Sequence, residues 1–387
     1  MRNYIMKELK PEILFILHLP PPVHGAAMMG KYIYDSKLVN GMFDCHYINL
    51  ATAKDLTDIG KIGIKKLVNF IKLLKTIRSE VNRLRPRLVY VTPNACGGAF
   101  YKDFIVVEML KHMGCKVVVH YHNKGVATRQ HRKFDDSLYR IFFKGIKVIL
   151  LADNLYSDIH KYVKRKDVII CNNGIPDVTA DLHFNNIDKH LAKPLKMLYL
   201  SNMMEEKGVW VLLDACKILK ERGVDFTCRF VGGWKDITEE AFYDKAIAYG
   251  LTVSTPNHTN NKATIMALGP KYGDDKANYF SLSDVFVFPT FYHNECFPLV
   301  LLEAMQYGLP CISTGEAGIT SIIDNGKTGL IVPKKDSAAL AEAIEKLLKD
   351  RNMCRLMGHE GRKKYEDKFT LTAFERNICR ILNEYSK

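Results

Sequence analysis

Short apolar runs alternate with stretches of helical period over most of the chain. The runs at 13–19, 43–50, 88–92, 115–122 and 148–152 are rich in Val, Ile, Leu, Phe and Tyr and are too short for helices. They predict buried strands. Between them, 29–39, 61–87 and 103–113 carry apolar residues at helical spacing, while 94–100 reads as a glycine-containing loop. A strand run from Asp167 breaks into Asn172-Asn173-Gly174, and 177–193 then shows little periodicity. The pattern restarts with strands at 195–202, 227–231 and 283–290, and with helices at 205–219, 239–249, 299–307, 336–350 and 370–385. Strand–helix alternation given twice predicts two parallel α/β domains, 1–176 and 194–369, with a linker at 177–193. Parallel sheets take ligands beyond the carboxyl ends of their strands, so the loops after these runs are where chemistry is expected.

Composition sharpens this picture in three places. The 387 residues exceed one ordinary core, and 47% hydrophobic with 25% charged residues is the balance of a soluble globular protein. No apolar run is long enough to span a bilayer. Residues 13–19 follow Glu8 and Glu12 and precede three prolines, which reads as a first strand rather than a signal peptide, so a cytoplasmic location is expected. The ten cysteines form neither a Cys-x-x-Cys pair nor a Cys/His cluster at zinc spacing, and are expected to be reduced and structural.

The net charge of +14 is unevenly spread. Lys61, Lys65, Lys66, Lys72, Lys75, Arg78, Arg83, Arg85 and Arg87 face Glu80 alone, with Ile64, Leu67, Val68, Ile71, Leu74 and Ile77 interleaved at helical spacing. Two readings stand for this basic amphipathic helix: peripheral contact with an anionic membrane, or a core-packed helix with a solvated basic face. No nucleic-acid motif accompanies it, and no nucleic acid partner is expected.

The densest chemistry lies at 294–308, NECFPLVLLEAMQYG. Pro298 sits where a first helical residue would sit, Leu299 to Tyr307 are helix formers, Gly308 suits the position after the helix, and Pro310 stops it. Free amides at the helix start, from Cys296 and Phe297 through Leu299 and Val300, make an anion site that suits a diphosphate. Glu295 precedes the helix, and Glu303 lies about a turn and a half further along. One carboxylate can then reach sugar hydroxyls on one side of a diphosphate and the other a ribose beyond it. The plainer alternative is an amphipathic helix with two solvated glutamates.

Other loops offer single candidates. Gly25, beside His24, follows the first strand and would let a ligand approach the backbone, or simply make a tight turn. His122 ends the fourth run and would face a crevice, with His120 on the same strand face. Gly232-Gly233 closes the 227–231 run, and Trp234 after it either packs on a base or sugar or covers the core. Arg129, His131, Arg132 and Lys133 suit a phosphorylated ligand or a plain solvated loop.

Glu295 and Glu303 with seven residues between them, then Gly308-Leu-Pro-Cys-Ile-Ser313, then Asp324-Asn-Gly-Lys-Thr-Gly-Leu-Ile-Val-Pro333, resemble in that order the retaining glycosyltransferases of the GT-B fold, family four (glycosyl transferases group 1). The resemblance implies two Rossmann-like parallel α/β domains facing across a cleft: an acceptor-side domain at 1–176 and a nucleotide-sugar donor domain at 194–369, with a last helix in 370–387 crossing back to the first. It implies a metal-independent enzyme without cofactor. A sugar would pass with retention, by front-side attack, from a UDP- or GDP-sugar to a glycan or polyprenyl-linked acceptor, in capsule, O-antigen or other surface polysaccharide synthesis. The absence of any Asp-x-Asp agrees with metal-free phosphate binding.

In family terms Glu295 and His122 are catalytic. Gly25, Lys207, Gly233, Cys296, Phe297, Pro298, Leu299, Val300 and Glu303 bind the donor. Where the family has an arginine this chain has Asn202, which brings hydrogen bonds but no charge, so either phosphate binding is weaker or another cation, such as Lys235 or a first-domain residue, stands in. The rival readings are a same-fold glycan phosphorylase or sugar epimerase, and a non-enzymatic two-domain sugar-binding protein.

Overall fold

The computed structural model describes residues 10–50, 64–178 and 194–387, without the side chains of 64–66. Residues 61–63 of the basic segment and 179–193 of the expected linker lie outside the described residues. The chain divides into two compact units, one running to Asn173 and including Leu371–Lys387, the other Gly174–Thr370.

The first unit is a six-stranded parallel sheet of β1 (Glu12–Leu17), β2 (Asp44–Asn49), β3 (Leu88–Val91), β4 (Val117–His120), β5 (Lys147–Leu150) and β6 (Val168–Ile170). The strand order is β2-β1-β3-β4-β5-β6. Ile13 to Leu17 are wholly buried, as continuous apolar runs in a sheet covered on both faces should be. Its helices are α1 (Gly25–Asp35), α2 (Lys37–Met42), α3 (Ile64–Leu84), α4 (Gly97–His112), α5 (Val126–Arg129), α6 (Lys133–Phe142) and α7 (Tyr156–Ile159). The helix α15 (Leu371–Tyr385) belongs to this unit and packs against α2.

Two local expectations are corrected here. The single helix at 29–39 is two helices, because Ser36 adopts extended backbone and its hydroxyl accepts the Val39 amide, capping α2. The loop at 94–100 instead starts α4, from Gly97. The basic helix α3 serves both readings in part. Ile77, Val81 and Leu84 near its end are buried, while Leu67, Val68 and Ile71 near its start are exposed, as are Lys72 and Lys75.

The second unit holds β7 (Leu195–Leu200), β8 (Phe226–Val231), β9 (Val253–Ser254), β10 (Ile265–Ala267), β11 (Val285–Phe288), β12 (Cys311–Thr314) and β13 (Gly329–Val332). They form one parallel sheet in the order β13-β12-β11-β7-β8-β10-β9. Its helices are α8 (Val209–Glu221), α9 (Glu239–Ala248), α10 (Gly273–Ser281), α11 (Leu299–Gln306), α12 (Ile319–Ile322), α13 (Ser337–Lys349) and α14 (Arg351–Lys368). From β7 the chain steps one way to β8, and from β11 it steps the other way to β12. The topological switch point, where an open α/β sheet opens a ligand crevice, is therefore between β7 and β11.

Helix α14 is absent from the sequence reading because its polar sequence carries too few apolar positions to show a period. Asp350 caps it by accepting the Met353 amide. It nonetheless supports α11. A Cβ on Gly358 would lie 2.0 Å from the Gly308 carbonyl oxygen, so only glycine permits this approach. Arg362 donates to the Gln306 carbonyl (2.7 Å) and to Asp177 (3.1 and 2.6 Å). Nearby, the Ile175 amide donates to the Phe369 carbonyl (3.0 Å) and the Tyr365 hydroxyl to the Ile175 carbonyl (3.1 Å). The two ends of this unit are thus pinned side by side, and the same arginine ties them to α11.

Candidate functional site

The site grows from two loops at the switch point. After β7, Glu205–Lys207 makes a 3-10 turn that ends at Gly208 with φ +86°. A Cβ on Gly208 would lie 2.3 Å from the Pro289 carbonyl oxygen. Glycine is needed there twice over, for the left-handed backbone and for the close approach to the loop after β11. That approach brings Lys207 to Glu295. Lys207 Nζ is 2.7 Å from Glu295 Oε2, and it also lies over the Tyr292 ring at 4.4 Å from the centroid. Glu295 is 8% exposed, and an acidic group so buried requires a partner of this kind.

Helix α11 begins one residue later than expected, with Pro298 as the cap (ψ 117°) rather than the first helical residue. The amide of Leu301 returns to the Pro298 carbonyl at 3.2 Å. Those of Leu299 and Val300 have no hydrogen-bond partner among the described residues, and both residues are half-exposed. Cys296, Phe297 and Pro298 are buried and anchor the approach to the helix. The Cys296 carbonyl accepts the Gly318 amide at 2.8 Å, which ties the loop after β12 to the same place. In that loop Ala317 holds φ +43°, a backbone that suits glycine better than alanine.

Glu303 lies on the second turn of α11. Its Oε1 is 2.6 Å from Lys276 Nζ of α10, while Oε2 is shielded from solvent without a hydrogen-bond partner. Both carboxylates expected from the sequence thus carry a lysine. Lys207 was expected from the family resemblance, but Lys276 was not expected at all, since α10 had shown no helical signal.

Of the paired glycines after β8, Gly232 rather than Gly233 is the one the backbone demands. A Cβ on Gly232 would lie 1.7 Å from the Ser201 carbonyl oxygen, whereas one on Gly233 would only reach the Asn202 side-chain oxygen at 4.0 Å. Gly233 therefore keeps open space beside Asn202, which is exposed. Lys235 is exposed as well. The Trp234 ring lies 5.8 Å from that of buried Phe242, which favours the core-covering reading.

In the first unit the strand ends gather histidines. His122 lies two residues past the end of β4, and both its ring nitrogens are shielded and without hydrogen bonds. Its ring is 4.3 Å from that of His120, which is itself tied to the Tyr90 hydroxyl. Burial first, then the nearness of His18 and His24, lowers the His122 pKa to about 3. His18, just after β1, donates its backbone amide to Thr92 Oγ1 (3.1 Å), and its Nε2 lies 3.4 Å from the side-chain Nδ2 of Asn94. Burial holds its pKa at about 4. His24 caps α1 by accepting the Ala27 amide, and burial lowers its pKa too.

Sequence reasoning missed His18 and the buried Asp103, which accepts both nitrogens of Asn94 at 2.8 Å. A polar residue just past a buried run was the available signal for His18. Gly25 opens α1, and a Cβ there would meet nothing within 4 Å, so the fold itself does not require glycine. Arg132 and Lys133 are exposed at the start of α6. The side chains of Glu12, Asp44 and His46 lie close enough together to share a metal ion. They sit at the amino ends of β1 and β2, away from the ligand end of the sheet.

Comparison with known proteins bears on the fold and the family. Residues 184–364 match the family Glycosyl transferases group 1. The chain is 29% identical over 220 residues to the capsular polysaccharide biosynthesis glycosyltransferase CapM of Staphylococcus aureus, covering 56% of this chain and 54% of that one. It thus spans about half the length of that relative. A glycosyltransferase structure from Rickettsia africae superposes with a TM-score of 0.73 at 18% identity, over 98% of this chain and 99% of that one. HepE of Anabaena in complex with UDP superposes with a TM-score of 0.69 at 15% identity, over 96% and 100%. The chain carries the GT-B fold, and its residues 184–364 match the group 1 glycosyl transferases.

Proposed function

We propose that the protein is a retaining glycosyltransferase that moves a sugar from a nucleotide-diphosphate sugar to a glycan or lipid-linked acceptor in surface polysaccharide assembly. The observation that carries this reading is the Lys207–Glu295 pair at the switch point, beside the unpartnered amides of Leu299 and Val300 and one turn before Glu303. Breaking the sugar–diphosphate bond places negative charge on the leaving diphosphate. The helix start and Lys207 are fixed donors for that charge, and such preorganised donors are commonly the largest catalytic term. Lysine has three N–H donors, so Lys207 can keep Glu295 and take a phosphate oxygen. Glu295 then orients the sugar hydroxyls and Glu303 the ribose. His122 and Gly25 are assigned to the sugar and to the far side of the diphosphate on the family resemblance. UDP in HepE and the capsular role of CapM support the donor class and the pathway class respectively.

We assign no metal and no cofactor to the transfer, so turnover is expected to persist in EDTA. Among the described residues no helix is long and apolar enough to cross a membrane. The exposed apolar start of α3, with Lys72 and Lys75, supports peripheral contact with an anionic inner membrane face. Vesicle co-sedimentation at low salt tests it, and absence of binding removes this part.

The central test is transfer from a panel of UDP-, GDP- and ADP-sugars. Glu295→Gln should lower turnover on the order of 10²-fold or more. It also leaves Lys207 buried without its partner, so stability should fall. Adding Lys207→Met should restore stability but not turnover. A Glu295→Gln protein that transfers sugar at the wild-type rate ends the proposal. Release of sugar phosphate from glycan and inorganic phosphate would instead favour a phosphorylase.

A further inference from the structure

Ion pairs on a protein surface need no function, and most contribute little. The Lys276–Glu303 pair is of another kind. Lys276 takes only Oε1, and Oε2 is left shielded with no donor. A buried carboxylate oxygen without a partner is costly and calls for an explanation. The pair is also fixed from behind. Four residues on from each, the ring of Phe280 stacks on that of Tyr307, the residue that closes α11, at 5.3 Å with an interplanar angle of 11°. Helices α10 and α11 therefore meet through two successive rungs, 276 with 303 and 280 with 307. Phe280 is buried, so α10 has little freedom to carry Lys276 away.

We infer that Lys276 is a positioning residue which, by holding Oε1 of Glu303, presents Oε2 as the single acceptor for a ribose hydroxyl of the donor nucleotide. This rests on the nucleotide-sugar reading above. A free glutamate samples many rotamers and loses that freedom when it binds. One already held at one oxygen loses less, and the ligand gains affinity accordingly. The same tether sets selectivity. A nucleotide lacking the hydroxyl that meets Oε2 leaves that oxygen without a donor, and should be disfavoured.

The test uses calorimetry on the full chain with whichever of UDP, GDP and ADP binds best, together with its 2′-deoxy and 3′-deoxy forms. The wild type should bind the ribonucleotide about tenfold or more tightly than one of the deoxy forms. In Lys276→Met the ribonucleotide should weaken about tenfold, the deoxy form should change little, and the ratio should fall toward one. Lys276→Arg should restore the preference. If Lys276→Met loses thermal stability and weakens all three nucleotides alike, its role is structural and the inference falls. If the wild type binds the diphosphate without any ribose preference, the inference falls while the diphosphate site stands. If the wild type binds none of the three nucleotides, the proposed function falls first.

Discussion

The ligand ends of the two sheets are built from opposite materials. In the second unit they hold charges in pairs, Lys207 with Glu295 and Lys276 with Glu303. In the first they hold imidazoles that burial keeps uncharged, His18, His24 and His122. A lysine–carboxylate pair can turn spare N–H donors to an incoming phosphate without being left alone. A neutral imidazole brings one donor and one acceptor and no charge, which suits hydroxyl groups. The glycines follow the same division. Gly208 and Gly232 are forced by neighbouring carbonyls, whereas Gly25 has open space around it. On the function proposed above, the second unit would take the anion and the first the uncharged groups.

The largest effect that tests this contrast is on the glycines. Gly208→Ala must place a Cβ against the Pro289 carbonyl at φ +86°. The left-handed backbone and the overlap together should cost about 2–4 kcal/mol in denaturant unfolding. Gly25→Ala lies at a helix start with free space, so it should leave stability unchanged or raise it by about 0.5–1 kcal/mol. Its effect should appear instead as a raised KM for the donor. Equal stability losses in the two variants would erase the distinction.

The next effect is pH dependence, which the imidazole cluster should impose. The unfolded chain takes up protons on its histidines near the ordinary 6.5, but His18 and His122 in the fold do so only at about 4 and about 3. Folding therefore expels protons in that window, and stability should fall as the pH drops from about 6.5 toward 4. The slope should be on the order of 1 kcal/mol per pH unit for each buried histidine. Thermal unfolding of wild type and His122→Asn across this range measures it, and the variant should show the shallower slope. An unchanged slope would remove His122 from the cluster's account.

The smallest effect belongs to the loop after β12. Ala317→Gly should relieve the positive φ and stabilise by no more than about 1 kcal/mol, because the freer glycine backbone offsets part of the gain. A loss of stability there would mean that the Ala317 methyl packs more usefully than its backbone suffers.

Much of this was legible in the residues themselves. Strand and helix alternation is a local periodicity, and it placed every strand of the first sheet but only β7, β8 and β11 of the second. The spacing of Glu295 and Glu303, with Pro298 and Gly308 as punctuation, located α11 to within a residue. Helices α10 and α14 were not legible. Each makes its contacts through a few residues rather than an apolar stripe: Lys276 and Phe280 in one, Gly358 and Arg362 in the other. A helix that is held by an ion pair, a ring stack or a glycine contact leaves little periodic trace.

What the chain determined by itself is therefore its parallel α/β character and the place of helix α11, since both depend on neighbours a few positions apart. Which charges meet was decided only by the fold. Lys207 and Glu295 are 88 positions apart, and Lys276 and Glu303 are 27 apart. Their pairing depends on the order of β11 and β7 in the sheet and on glycine letting two loops touch. Likewise, three histidines scattered from 18 to 122 share one electrostatic environment only because β1 and β4 lie to either side of β3. Coulombic and burial effects act through distance in space, and no pattern along the sequence encodes that distance.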